Sequence, residues 1–176
     1  MKTVMKTAAL AKDEASRLRS LLVAEEDAYA GLLQLALAQN SCLRGQDVAG
    51  LEANAGDWRD RMPAAEVART ARETYLLELG ERHHIGREHL RMSRLARSTG
   101  GETGRDLRHS LRSWERTTGE LMRQNSLNGM LARFCLGLVD EEANILCNGM
   151  TGNDGCYDAQ GGERKGACAG VIVRQA

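Results

Sequence analysis

Residues 107–146, LRHSLRSWERTTGELMRQNSLNGMLARFCLGLVDEEANIL, decide the fold. Stepping through them by four and three gives Leu107, Leu111, Trp114, Thr118, Leu121, Asn125, Asn128, Ala132, Cys135, Val139, Glu142 and Leu146, a mostly apolar row at the period of a coiled-coil seam. A strand, whose side chains alternate with a period of two, would not keep that row on one side. Thr103-Gly104-Arg105-Asp106 offers a hydroxyl to the first unpaired N–H groups and an acid to the positive helix end, which predicts a start near residue 104 and leaves the stop near Gly149. From Leu127 onward a second row, Leu127, Leu131, Phe134, Leu138 and Ile145, runs beside the first and makes the apolar arc wider than one partner helix covers. Asn125 and Asn128 stand at seam positions, where a buried amide penalises wrong pairings, so their default role is to set helix register.

Upstream, a first helix is predicted from about Ala8 or Lys12 to near Asn40, with Leu18, Leu22, Tyr29, Leu32, Ala36 and Leu43 along one seam. Arg44-Gly45-Gln46-Asp47 reads as a short connection in which Asp47 caps the next helix. Val48, Leu51, Ala55, Trp58 and Met62 give a short second helix that Pro63 closes, unless Pro63 opens the following one, where its missing N–H is not needed. Residues 64–98 remain helical in pattern, with a break or bend expected around Gly80, His83, His84 and Gly86. Ser98 to Gly104, rich in glycine and hydroxyl residues, is the clearest loop. From Gly149 to Ala176 the chain is glycine-rich, so ordering it would cost much backbone entropy for little apolar area. The expected fold class is therefore all-α: an elongated antiparallel helical hairpin or bundle with coiled-coil packing over residues 1–148, followed by a flexible C-terminal tail over 149–176.

Composition agrees, because the chain has a single proline, few aromatics and many of the straight-chain residues that lose little on entering a helix. The formal net charge of zero removes the usual electrostatic argument for nucleic acid, although a basic face can still exist locally. No apolar run approaches the length of a membrane span, and Met1 to Leu10 lacks the apolar core of a signal peptide, so a cytoplasmic protein without membrane insertion is expected. Cys42, Cys135, Cys147, Cys156 and Cys168 form an odd set without a C-x-x-C pair, which indicates neither a disulfide framework nor a zinc site.

Catalytic chemistry finds no support in these residues. His83, His84 and His89 lack cysteine or carboxylate partners at ligand spacing and read as surface histidines, so no metal is expected. Glu25-Glu26 and Glu141-Glu142 are adjacent on helices and point in different directions, which rules them out as paired acids for one substrate. Phosphate loop, nucleophile elbow and base-orienter set are all missing, and neither an enzyme nor a cofactor is expected. The function should lie in surfaces. The wide apolar arc can be covered by the chain's own helices, by a second copy in a homo-oligomer, or by a client; a coiled-coil scaffold or dimerisation protein without a client is the alternative reading.

The order of these features resembles the FlgN-type flagellar type III export chaperones. The resemblance rests on Asn125, Asn128, Gly129 and Leu131, with Met130 in place of a leucine, on Tyr157, Asp158, Ala159 and Gly161 in the tail, and on Leu21-Leu22, Glu25-Glu26, Leu32-Leu33 and Leu43 to Asp47 at the opening. It covers most of the chain, with Ala64 to Thr103 matching by helical character alone. It implies that the long C-terminal helix binds the C-terminal helical region of hook-associated (hook-filament junction) proteins and prevents their premature assembly. It further implies that Tyr157 docks on the cytoplasmic domain of the export gate. On that basis Leu127, Leu131, Phe134, Leu138 and Ile145 are the candidate client contacts.

Overall fold

The computed structural model describes residues 9–150. They form four helices, α1 (Lys12–Gly45), α2 (Val48–Arg82), α3 (Met92–Ser98) and α4 (Gly101–Met150), with a 3-10 turn at Arg87–His89 between α2 and α3. No strand occurs among the described residues. The glycine-rich segment predicted to be a flexible tail lies outside them from residue 151 on.

The start of α1 is held by Glu14, whose Oε2 accepts the Ala11 N–H at 3.0 Å and satisfies one of the donors a helix leaves unpaired. Its end lies beyond the expected Asn40, at Gly45, because Gln46 turns into the left-handed region (φ 54°) and the Asp47 N–H reaches back to the Cys42 carbonyl at 2.9 Å. Asp47 then caps α2, its Oδ1 accepting the Gly50 N–H at 2.9 Å. Glycine is needed at position 50, since a Cβ there would lie 2.3 Å from the Asp47 carboxylate. The two-residue link turns α2 antiparallel to α1.

The expected stop at Pro63 does not occur, and α2 runs through it without interruption to Arg82. Proline removes one N–H, but Pro63 is exposed, so water can serve the carbonyl four residues earlier while Ala65 and Tyr75 bury on the opposite side. The break predicted around Gly80 to Gly86 is present: α2 ends at Arg82, and His84 adopts φ 53°. The loop predicted over Ser98 to Gly104 is shorter than expected. Only Thr99 and Gly100 separate α3 from α4, which begins at Gly101 (φ 66°) rather than near residue 104. Gly104 sits inside the first turns of α4 against the Thr99 carbonyl, 2.0 Å from where a Cβ would stand, so a segment read as loop is in fact a close helix contact.

α4 runs parallel to α1 at a nearly constant sequence offset: Arg19 pairs with Asp106 at 3.4 Å, Glu26 accepts from Ser113, and the Asn40 amide donates to Asn128 at 2.9 Å. A nearly constant offset over so many turns keeps the two helices side by side in one register. The core has two layers. One joins Leu18 and Leu22 of α1, Tyr75 and Leu79 of α2, Leu95 of α3 and Leu107 and Leu111 of α4. The other joins Leu32, Leu35 and Ala36 of α1, Ala65 of α2 and Leu121 of α4. Each buried leucine contributes roughly 1.5–3 kcal/mol. Between the layers Glu25, fully buried, takes the Arg72 guanidinium on both carboxylate oxygens, and that guanidinium lies 5.3 Å from the Trp114 ring centroid.

The chain divides into two compact units, Met1–Gly129 and Met130–Ala176. The first holds both core layers. The described part of the second is the remainder of α4.

Candidate functional site

In the first unit the seam of α4 ends in a cluster of amides. Asn128 is buried, and both its donors and its acceptor are used: Nδ2 donates to the Ala36 carbonyl at 2.7 Å and to Gln39 Oε1 at 2.9 Å, while Oδ1 accepts from Asn40 at 2.9 Å and Gln124 at 3.0 Å. Every member depends on α1 and α4 holding one relative position along their axes. Asn125 is placed differently from the expected seam, for it is exposed, and Gln124 occupies the buried position. The helix steps by three and then four between Leu121, Gln124 and Asn128, where the row through Asn125 stepped by four and then three.

Beyond Gly129 the helix surface changes character. Phe134 is 63% exposed, Ile145 70% and Leu138 39%, while Leu131 is half-buried. Leu127, at the end of the first unit, is 42% exposed. The five candidate contacts are thus spread along α4 at helical spacing, four of them well exposed. Sequence reasoning missed further members of this surface: Met130, Leu136, Val139 and Leu146 are exposed as well. Val139 and Leu146 stand on the row expected to face a partner helix, and among the described residues nothing covers them. The signal was available in the width of the apolar arc, which could not say whether any helix lay against it.

Acids flank this surface at Asp140, Glu141 and Glu142, all exposed. Tyr157 lies outside the described residues. Among these residues no group of three or more His, Cys, Asp or Glu side chains is placed to hold a metal. His83 is engaged with the buried carboxylate of Glu14, Nε2 to Oε2 at 2.8 Å, and His89 stands 3.6 Å from Glu88. Burial alone would raise the Glu14 carboxyl; hydrogen bonds from Arg82, the Ala11 N–H and His83 together bring it down to about 2. Past Gly129, the described part of α4 presents large apolar side chains to solvent.

No helix of the described residues is long and apolar enough to cross a membrane. Comparison with known proteins gives one family: a family model described as FlgN protein matches residues 5–165, a span that includes both the amide cluster and Tyr157. Neither a curated protein nor a solved structure matches the chain. The chain belongs to the FlgN family, the flagellar export chaperones.

Proposed function

We propose that this FlgN-family chaperone acts in the cytoplasm and uses the second unit's part of α4 to hold the C-terminal helical region of hook-filament junction proteins, preventing their premature assembly. The observation that carries the reading is the run of large apolar side chains left in solvent from Met130 to Leu146, Phe134 among them. Exposed patches of this kind mark interaction sites, and an amphipathic helix lying along such a face is a common mode of recognition. Burying one of these side chains contributes roughly 1.5–3 kcal/mol, so a few contacts give a complex that can also be released. Leu131, Phe134, Leu138 and Ile145, preceded on the same helix by Leu127 of the first unit, make the contact in this reading. Tyr157 serves a separate step, docking the loaded chaperone on the cytoplasmic domain of the export gate through its ring area and hydroxyl.

Two variants test the division of labour, with the full chain co-expressed with hook-filament junction proteins. Phe134→Asp is expected to lose client capture at least tenfold while keeping its helical circular dichroism, because an exposed side chain contributes little to the fold. Tyr157→Ala is expected to keep the client and to lose binding to the purified gate domain. Unfolding of Phe134→Asp would mean that the face belongs to the protein's own packing. A wild-type chain that sediments as a tight homodimer and ignores the client would instead assign the same face to a second copy, the scaffold reading.

A further inference from the structure

Residues 87–98 hold four arginines, Arg87, Arg91, Arg94 and Arg97, against a single acid, Glu88, in a chain of zero formal charge. Arg91, Arg94 and Arg97 recur every third residue and are exposed, spanning about 9 Å along α3 at the helical rise. With Ser93 and Ser98 they line an open depression of about 440 Å³. Among the described residues no carboxylate pairs with Arg87, Arg91 or Arg94, whereas Arg19, Arg72 and Arg82 of this chain all have acidic partners.

The platform beneath them is fixed. Leu95 and Ala96 are buried in the core layer that holds Leu18 and Leu22, and Arg108 of α4 donates to the Ala96 carbonyl at 2.8 Å and the Thr99 carbonyl at 3.1 Å. The Arg97 Nε–H donates to the Ser93 carbonyl at 3.2 Å, holding its guanidinium beside the depression. Like charges three residues apart repel one another, and α3 itself holds no acid to relieve this. An anion from outside would.

We propose that this arginine face seats the protein on a phospholipid surface by binding anionic phosphate headgroups. Guanidinium groups match phosphate oxygens in a forked geometry, and two serine hydroxyls stand in the same depression. A group of four basic residues in twelve has the composition of an anionic-lipid contact. Nucleic acid fits less well. No Phe, Tyr or Trp occurs between residues 76 and 113 for a base to stack on, and the arginines form a compact cluster where a strand would need an extended track. The contact lies at the surface and crosses nothing, in keeping with the lack of any spanning helix among the described residues.

Flotation of the full chain with vesicles tests the assignment. Wild type is expected to float with vesicles containing phosphatidylglycerol and to stay behind with pure phosphatidylcholine, the difference fading as salt is added. Arg91→Gln/Arg94→Gln/Arg97→Gln is expected to weaken the association about a hundredfold, at roughly fivefold per arginine. The corresponding triple lysine variant should retain most of it. Should the triple glutamine variant lose helicity, the single Arg94→Glu reads the same loss on an intact fold. Equal flotation of wild type and these variants, or none by wild type, overturns the proposal. So does release of the bound protein by inorganic phosphate at matched ionic strength, which would assign a free-phosphate site, and so does binding of a short RNA duplex without binding of vesicles.

Discussion

Glu25 and Arg72 place two charges between core layers made of leucine and alanine. Their pairing could not be picked from the sequence, where each is one charged residue in a helix full of them, and only the approach of α2 to α1 makes them partners. The environment marks Tyr29 too: burial first, then the charge and hydrogen bond of Glu25, push its hydroxyl up to about 12. Arg72→Ala should destabilise the fold by about 3–5 kcal/mol in urea unfolding, because Glu25 would remain buried without a counter-charge. Glu25→Leu combined with Arg72→Met should recover most of that loss, which separates the worth of the pair from the damage of breaking it. Glu14 is expected to contribute to acid sensitivity near the start of α1. Its carboxyl is lowered from an ordinary 4.5 to about 2 in the folded chain, so its contribution to stability is complete above pH 4.5 and disappears as pH falls toward 2. Subtracting the acid-unfolding curve of Glu14→Gln from that of wild type should isolate a difference confined to this window; parallel curves would deny Glu14 that role.

At the scale of helices, the type of the elements follows from apolar spacing, and the seam of α1 was legible nearly residue by residue, from Leu18 and Leu22 to Ala36 and Leu43. The boundaries read less well, for identifiable reasons. Pro63 reads as a stop because proline lacks a donor, but on the exposed side of a helix anchored by Ala65 and Tyr75 that loss is tolerated. Ser98 to Gly104 reads as a loop because glycine favours turns, yet Gly104 is there to let α4 approach the Thr99 carbonyl. The amide cluster shows the same limit. Periodicity places amides on the seam, but Asn125 and Gln124 are one residue apart, and only packing decides which faces α1. Asn128→Ala should therefore cost about 1–3 kcal/mol, since the amide groups of Gln39, Asn40 and Gln124 and the Ala36 carbonyl all lose a partner. Asn125→Ala should stay within about 0.5 kcal/mol of wild type in the same denaturation series.

For the molecule as a whole, the division after Gly129 separates α4 residues that serve a core from residues that meet solvent. Hydrogen exchange should report it: amides of Leu107 to Leu121 are expected to open only with global unfolding, while those of Leu131 to Leu146 exchange at least tenfold faster, because helix without tertiary burial is only marginally stable. Uniform protection along α4 in the client-free protein would contradict this, and added client should slow the exposed half selectively. Both tryptophans, Trp58 and Trp114, belong to the first unit, and the sole phenylalanine, Phe134, to the second. Tryptophan emission is therefore a built-in reporter for the first unit. A guest that settles around Phe134 and leaves the indoles undisturbed will be silent in that signal, and any quenching or wavelength change it does provoke reports a change inside the first unit.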